Sequence, residues 1–419
     1  IRILHVAQAA GGVDRYLKML LKYLDKNRFE NIVIASHDYK QEEYRGLADH
    51  FEYLDMERSI GYRDLKAAVS LRKRIRYYQP DSIYAHSSKA GALCRLANLG
   101  LSSLCVYNPH GWSFMMQVPN RKRKVYVLLE RGMAFFTDQI VCISEAEKKA
   151  ALQHHICKAS KLHVIKSGVD IQTYRKRKPS NVQKKDLHIP ETSIVVGMVG
   201  RLEPQKGADI FLKMAELLLQ KRTDIHFLLV GSGAQKQDLL NFAGTHGFLE
   251  NVHITDWVQD PYDYIELFDI AVLLSRWEGF GLVIPEYMLC QKPIVATFCD
   301  AIPELIQNGQ NGFLVPKEDA KTACDRVLDL LDDKELQTKL DDKEGDIVTS
   351  FATYLMQKQQ DEIDELKAEI KRLEKENGHL LKACEEQFTF NTTTNKKFSI
   401  FNSVRKEFAE KLKKVIHER

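Results

Sequence analysis

A basic loop in the middle of the chain carries residue types suited to binding phosphate. Residues 200–207 read GRLEPQKG and follow a short β-branched run. Arg201 offers a planar guanidinium fork, and Lys206 adds a point charge five residues later. At the carboxyl end of a parallel strand, such a pair suits a diphosphate. The alternative for this segment taken alone is a solvated loop without a ligand.

Two glutamates with seven residues between them form a second candidate site. Glu278 and Glu286 enclose a Gly-Phe-Gly loop. The pattern predicts a helix that begins between Leu282 and Pro285, with Glu286 in its first turn and Glu278 in the loop before it. Both carboxylates can then accept hydrogen bonds from the hydroxyls of one ligand. The free N–H groups of that first turn stay available to an anion.

Glycine-rich turns follow two other predicted strands. Gly11 and Gly12 lie between the first apolar run and a helical segment, where glycine lets backbone N–H groups approach a phosphate. A plain strand-to-helix turn would use the same residues, so this motif is weak alone. Gly233 ends a Gly-Ser-Gly turn after a later strand, where a base or phosphate could lie.

The order of elements predicts an α/β fold of two Rossmann-like, doubly wound domains that face a cleft. Short apolar runs alternate with amphipathic segments, as in parallel sheets covered on both faces. The predicted strands form two series: 1–6, 31–36, 82–85, 104–107, 139–143 and 162–165, then 194–199, 226–230, 252–255, 270–274, 293–297 and 312–315. Among the predicted helices are 13–24, 64–78, 124–136 and 208–220. We therefore expect an N-terminal Rossmann-like domain over 1–170, a linker over 171–190 and a C-terminal Rossmann-like domain over 191–345.

Composition excludes several protein classes. The 419 residues are 44% hydrophobic and 28% charged, with 22 Gly and 11 Pro, which excludes global disorder and collagen-like structure. Eight scattered cysteines without a Cys-x-x-Cys pair argue against a structural zinc site and a disulfide framework. No run approaches about 18 apolar residues, and the first residues lack a signal-peptide layout. The expectation is a reduced, cytoplasmic protein.

Charge is unevenly distributed along the chain. Residues 1–180 contain 31 Lys and Arg against 17 Asp and Glu, whereas the remainder contains 30 against 40. A basic half predicts an anionic partner. The family resemblance described below, rather than the charge itself, makes an anionic membrane surface on the inner face of the plasma membrane the preferred partner. Each basic run taken singly is also compatible with a solvated helix face. Without a recognition motif, nucleic acid is not expected as a partner.

The segment 351–388 breaks the alternation of strands and helices. Apolar residues recur there at heptad spacing, with an Asn and a Cys in register: Ile363, Leu366, Ile370, Leu373, Asn377, Leu380 and Cys384. This pattern predicts a coiled-coil-like helix and a possible homodimer through 356–384. The alternative is a helix that packs on its own domain in a monomer. A terminal crossover helix is expected within 397–419.

Taken together, these motifs resemble the retaining GT-B glycosyltransferases of family 4. The resemblance covers about residues 1–340 and resumes around residues 397–418. Residues 85–91 (AHSSKAG) and 108–112 (NPHGW) are similar to bacterial enzymes that assemble capsule, exopolysaccharide or O-antigen units. The family normally runs directly from its second domain into the terminal helix. The heptad segment is therefore either a natural insertion or foreign sequence joined to the enzyme.

The resemblance implies a donor-side role for each matching residue. Arg201 and Lys206 would neutralise the leaving nucleotide diphosphate, with the backbone of Phe280, Gly281 and Leu282 also on the phosphates. Glu286 would accept hydrogen bonds from the ribose, and Glu278 would hold hydroxyls of the donor sugar.

The resemblance also implies roles for the first domain. Gly12 would bring backbone amides to the phosphate, and His110 would lie across the cleft near the anomeric carbon. His86 and Lys89 would line the acceptor side, although a buried histidine with satisfied hydrogen bonds is the alternative for His86.

The implied reaction moves a hexosyl unit from a UDP-, GDP- or dTDP-linked donor to a lipid-linked or growing glycan acceptor, with retention, in polysaccharide biosynthesis. The chain has no Asp-x-Asp triplet, so neither a bound metal nor another cofactor is expected. The rival functions are an epimerase-like enzyme and a non-catalytic binder of nucleotide sugars on the same fold.

Overall fold

Two parallel β-sheets covered by helices position every candidate loop. The computed structural model describes residues 1–57, 61, 63–258 and 260–333. The heptad segment 351–388 and the terminal segment 397–419 lie outside the described residues, so the coiled coil and the crossover helix stay predictions.

The first sheet has the strand order β3-β2-β1-β4-β5-β6-β7. Its strands are β1 (Arg2–Ala7), β2 (Glu30–Ala35), β3 (His50–Tyr53), β4 (Ser82–His86), β5 (Leu104–Asn108), β6 (Gln139–Cys142) and β7 (Leu162–Val164). The helices of this half are α1 (Gly12–Tyr23), α2 (Arg63–Tyr78), α3 (Ser88–Ala97), α4 (Asn120–Met133) and α5 (Glu145–Gln153), with the short α6 (Ile171–Arg175) inside the predicted linker.

The second sheet has the order β10-β9-β8-β11-β12-β13. Its strands are β8 (Ile194–Val199), β9 (Ile225–Val230), β10 (Val252–Ile254), β11 (Ile270–Leu273), β12 (Ile294–Thr297) and β13 (Phe313–Val315). The helices are α7 (Ala208–Leu219), α8 (Lys236–Thr245), α9 (Tyr262–Ile265), α10 (Val283–Leu289) and α11 (Ala320–Asp332).

The strand order reverses once in each sheet, and the candidate loops follow the strands at those points. In the first sheet β1 pairs with both β2 and β4, and in the second β8 pairs with both β9 and β11. Ligands of open parallel sheets bind outside the carboxyl ends of the strands at such a reversal. The glycine turn after β1, the basic loop after β8 and the Gly-Phe-Gly loop after β11 all lie there.

The predicted α/β fold with two parallel sheets is confirmed, and all twelve predicted strands are present within one residue of their expected ends. The sequence analysis missed β3, a four-residue edge strand that reads His-Phe-Glu-Tyr and is partly exposed throughout. Such a short polar segment has no apolar run to reveal it. Helix α4 begins at Asn120 rather than at the predicted residue 124. Its first turn contains a basic run, which has no apolar residues to indicate the start of a helix.

Each sheet has its own hydrophobic core. In the second sheet, Gly197 lets the Phe268 ring lie directly on β8, since a Cβ at Gly197 would be 2.2 Å from that ring. The cores of the two halves are separate sets of buried side chains. Within the described residues, no helix combines the length and apolarity needed to cross a bilayer.

Candidate active site

A cleft lies between the carboxyl ends of the two sheets, and eleven of the thirteen predicted site residues line it: Gly11, Gly12, Lys89, His110, Arg201, Lys206, Glu278, Phe280, Gly281, Leu282 and Glu286. The other two are Gly233 and His86. Gly233 packs against the backbone of Leu202, where a Cβ would lie 2.3 Å from a carbonyl oxygen. His86 is fully buried behind the wall of the cleft.

Lys206 and Glu278 form an ion pair on the second-sheet wall. Lys206 Nζ donates to Glu278 Oε1 at 2.5 Å, and Ser275 Oγ donates to the same oxygen at 2.7 Å. The backbone N–H of Glu278 donates to Asp300 Oδ2 at 2.9 Å. The buried carboxylate therefore has two partners at Oε1, and Asp300 holds the backbone of the same residue.

The basic loop depends on one glycine for its shape. Gly207 has φ +67°, and a Cβ there would lie 2.1 Å from the carbonyl oxygen of Leu274 at the end of β11. This close approach brings Lys206 onto the loop that follows β11. Arg201 remains exposed on the cleft wall, and its Nη2 donates to Gln205 Oε1 at 2.9 Å.

Glu286 contacts a residue that the sequence analysis missed. It lies in the first turn of α10, as predicted, and its side chain is 2% exposed. The guanidinium of Arg15, on α1 of the opposite sheet, forms an ion pair with its carboxylate. Burial raises the pKa of Glu286, although Arg15 opposes this shift. An Arg one turn into the helix after the glycine turn was the only sequence signal for this contact.

The glycine turn of the first sheet faces the loop of the second. Gly11 has φ +101°, and a Cβ on Gly12 would lie 3.8 Å from Leu282 Cδ1. Gly111, with φ +107°, lies opposite Gly279, whose added Cβ would be 3.3 Å from the Gly111 backbone. The two halves approach through backbone at Gly111 and Gly279, and through the Leu282 side chain at Gly12.

His110 lies on the first-sheet wall in an uncommon conformation. It has φ +49°, and its backbone N–H donates to Asn108 Oδ1 at 3.0 Å. Its Nε2 lies 3.1 Å from His86 Nδ1, and His86 Nε2 lies 3.4 Å from His5 Nδ1. Burial lowers the pKa of His110 to about 3. The imidazole is therefore neutral at physiological pH.

Lys89 lies at the outer part of the same wall. It lies in the first turn of α3, and its Nζ donates to both carboxylate oxygens of Asp64 on α2 at 2.6 Å. Its charge is thus partly compensated within the protein. Within the described ranges, no group of three or more His, Cys, Asp or Glu is arranged to hold a metal ion.

Comparison with known protein families shows which family the chain belongs to. The sequence profile of "Glycosyltransferase Family 4" matches residues 10–173, and that of "Glycosyl transferases group 1" matches residues 180–346. The chain belongs to the family 4 glycosyltransferases with the GT-B fold. The two matches together include every residue of the cleft wall discussed above, and all strands of the two sheets except β1.

Curated relatives of this glycosyltransferase cover most of its length. The UDP-Gal:alpha-D-GlcNAc-diphosphoundecaprenol alpha-1,3-galactosyltransferase of Escherichia coli is 27% identical over 84% of this chain and 93% of the relative. The capsular polysaccharide biosynthesis glycosyltransferase CapM of Staphylococcus aureus is 22% identical over 80% of this chain and 89% of its own.

Solved structures share the fold of this glycosyltransferase. Anabaena HepE, crystallised with UDP and glucose, superimposes with a TM-score of 0.73 at 22% identity, covering 86% of this chain and 99% of its own. Sucrose-phosphate synthase of Thermosynechococcus elongatus gives a TM-score of 0.73 at 18% identity, over 88% and 99% of the two chains. At this level of identity the likeness concerns the fold.

Proposed function

We propose that this glycosyltransferase moves a hexosyl unit from a uridine-diphosphate sugar to a lipid-linked saccharide during polysaccharide assembly, with retention of configuration. The observation that carries the proposal is the meeting of Arg201, Lys206, Glu278 and Glu286 at one edge of the second sheet, opposite His110. Two cations and two carboxylates there match the diphosphate and the hydroxyls of a nucleotide sugar.

The cations stabilise the leaving group. Arg201 and Lys206 face the negative charge that develops on the diphosphate as the glycosidic bond breaks, and preorganised charge of this kind is a large term in catalysis. They supply what a divalent ion would otherwise supply, so the reaction requires no bound metal. Transfer rates that stay unchanged in excess chelator support this point, and loss of activity that Mg²⁺ restores contradicts it.

The carboxylates bind the donor hydroxyls. Glu278 is held by Lys206 and Ser275, and Glu286 by Arg15, so each is oriented as a hydrogen-bond acceptor rather than poised as a nucleophile. Retention then follows from attack by the acceptor hydroxyl on the same face as the departing diphosphate. The donor phosphate takes the proton of that hydroxyl, and the new glycosidic bond forms as the old one breaks.

The first-sheet wall fits an acceptor with an apolar part. Exposed Leu96, Met116, Val125 and Leu129 lie along the cleft beside Lys89. Apolar side chains next to a cation suit a lipid carrier that ends in a charged head group. The E. coli relative is named for a diphosphoundecaprenol acceptor, which supports the same class here.

The outer face of α4 extends this surface toward a membrane. Leu128 on α4 is 69% exposed, and Phe135 in the turn after α4 is 85% exposed. The basic run at residues 121–124 lies in the first turns of the same helix. Each basic residue near an anionic bilayer is worth about 1 kcal/mol. We expect binding to anionic but not neutral liposomes, weakened by salt and by Leu128→Ser with Phe135→Ser. Binding that ignores lipid charge contradicts peripheral attachment to the inner face of the plasma membrane.

The donor assignment depends on the relatives. A UDP-sugar appears in the name of the E. coli relative, and HepE was solved with UDP, which together favour uridine over guanosine or deoxythymidine. Mixing the enzyme with UDP-, GDP- and dTDP-sugars and membrane extract tests both substrates. Nucleotide binding with neither transfer nor donor hydrolysis would favour a non-catalytic binder, and sugar epimerisation would favour the epimerase-like alternative.

The catalytic assignment has a sharper test. Lys206→Ala and Arg201→Ala should each lower kcat about 100-fold or more, because each removes leaving-group stabilisation. Lys213→Ala, on the exposed face of α7, is the matched control and should keep the wild-type rate. His110→Ala should lower turnover while leaving nucleotide affinity nearly unchanged. Wild-type rates for both cation variants would refute the assignment.

The heptad segment suggests a homodimer through 356–384. The catalytic regions of both copies could then reach one membrane. Light scattering of the intact chain and of an Ile370→Asp, Leu373→Asp variant tests this. A monomeric mass at micromolar concentration contradicts the dimer and leaves the transferase assignment untouched.

A further inference from the structure

A line of buried polar side chains runs from the cleft wall into the first sheet. His110 Nε2 lies 3.1 Å from His86 Nδ1, His86 Nε2 lies 3.4 Å from His5 Nδ1, and His5 Nε2 lies 3.1 Å from Asn31 Oδ1. His86, His5 and Asn31 are fully buried on the neighbouring strands β4, β1 and β2. Only His110 reaches the cleft.

Asn31, at the buried end of this line, has a carboxamide of fixed orientation. Asn31 Nδ2 donates to the carbonyl oxygen of Phe29 at 3.4 Å, which turns Oδ1 toward His5. A carboxamide oxygen only accepts hydrogen bonds, so His5 Nε2 must carry a proton. The reverse orientation would place a carboxamide nitrogen on His5 and two oxygens, from Asn31 and Phe29, against each other.

The tautomer of each imidazole then determines the tautomer of the next. A neutral imidazole has one N–H donor and one acceptor nitrogen. Since His5 donates through Nε2, its Nδ1 accepts from His86 Nε2–H. His86 Nδ1 in turn accepts from His110 Nε2–H. The same order leaves His110 Nδ1 without a proton. Charged imidazoles would break this order, but burial lowers the pKa of His5 to about 4 and that of His86 well below its usual value.

We propose that Asn31, His5 and His86 are positioning residues that hold His110 in its Nε2–H tautomer, so that His110 Nδ1 accepts a hydrogen bond from a substrate hydroxyl in the cleft. The kinetic half of this inference rests on the proposed function, in which His110 faces the donor sugar. The tautomer itself is a property of the protein without substrate.

Ring-nitrogen NMR of the ¹⁵N-histidine-labelled enzyme tests the tautomer directly. The chain has 14 histidines, and the His110 signals are those that His110→Gln removes. Near neutral pH, without substrate, we expect His110 Nε2 to be protonated and Nδ1 unprotonated. A protonated Nδ1 in the wild-type enzyme overturns the inference.

Two variants test whether Asn31, acting through His5, determines the tautomer of His110. Asn31→Leu removes the fixed acceptor, and His5→Phe removes the link while keeping a ring. Both should give a mixture of His110 tautomers. His5→Gln can still donate to Asn31 and accept from His86, so it should restore the single tautomer. Val33→Ala, a buried substitution on β2 outside the line, is the control for lost packing. If Asn31→Leu and His5→Phe both keep the wild-type tautomer of His110, the inference is overturned.

Kinetics separate positioning from structural damage. His5→Phe should lower kcat about tenfold, the rate equivalent of one misplaced hydrogen bond, with donor KM within about twofold of wild type. His5→Gln should recover most of the rate. Equal losses in His5→Phe and His5→Gln would contradict positioning. If no sugar is transferred but the tautomer is as stated, the proposed function fails and the positioning line stands.

Discussion

The ion pair between Arg15 and Glu286 gives the most demanding prediction. The Glu286 carboxylate is nearly inaccessible to water, and burial already raises its pKa against the influence of Arg15. Arg15→Gln removes the charge and keeps a polar side chain of similar reach. The pKa of Glu286 should then rise further, so that more of the carboxyl is protonated at a given pH, because a buried carboxylate without a counter-charge is strongly disfavoured.

The size of the effect follows from the exposure of the two partners. Breaking a fully buried ion pair costs about 3–5 kcal/mol. The Arg15 side chain is 44% exposed, so water screens its charge, and we expect roughly 1–2 kcal/mol instead. A protonated carboxyl accepts fewer hydrogen bonds from ribose hydroxyls than a carboxylate does. Since about 1.4 kcal/mol is a factor of ten, donor KM should rise about tenfold near pH 7.

Donor KM measured from pH 6 to pH 9 is the assay. The folded-state pKa of Glu286 is raised, so the carboxyl loses its proton as the pH rises, and the KM defect of Arg15→Gln should shrink toward pH 9. Arg15→Lys keeps the charge and should stay near wild type. A KM defect that does not change with pH would refute the reasoning. Tighter donor binding by Arg15→Gln would mean that Arg15 competes with the ribose for Glu286.

Three further predictions concern stability. Burial raises the pKa of Glu147 to about 8, so from about pH 4.5 to 8 the folded state holds a proton that the unfolded chain releases. The stability of the folded state therefore falls as the pH rises through this range. Glu147→Gln should raise Tm more at pH 8.5 than at pH 5, and an equal change at both pH values would contradict this. Gly197→Ala should destabilise by about 1–3 kcal/mol in denaturant titrations because its Cβ meets the Phe268 ring, and adding Phe268→Leu should recover part of the loss. Arg95→Leu should cost about 3–5 kcal/mol by leaving Glu130 buried without its partner, whereas Arg95→Leu with Glu130→Leu should cost clearly less, as calorimetry of both can check.

The sequence predicted those parts of the site that lie within single loops. Arg201 and Lys206 share one loop, and Glu278 and Glu286 flank another, so spacing alone indicated that each pair meets one ligand. Both loops follow parallel strands of one sheet, which brings them to the same edge. The two-sheet fold was predictable for a similar reason, because buried parallel strands read as short apolar runs.

The contacts that hold these residues in place were not predictable. Asp300 binds the backbone of Glu278 from a different loop, and Asn31 contacts His5 from the neighbouring strand. Each partner is an ordinary polar residue in its local segment, and only the folded sheets bring it near the site. Arg15 is the extreme case, since it contacts Glu286 from the opposite half of the chain.

The backbone contact between Gly111 and Gly279 sets how closely the two halves can approach. Neither residue has a side chain, so the gap there is set by main-chain atoms alone. Any larger residue at position 279 would act as a wedge, because its Cβ would already lie 3.2 Å from Ile143 Cδ1 and 3.3 Å from the Gly111 backbone. The pair of glycines therefore acts as a spacer, and Ala at position 279 would push the Gly111 backbone and the Ile143 side chain slightly away from it.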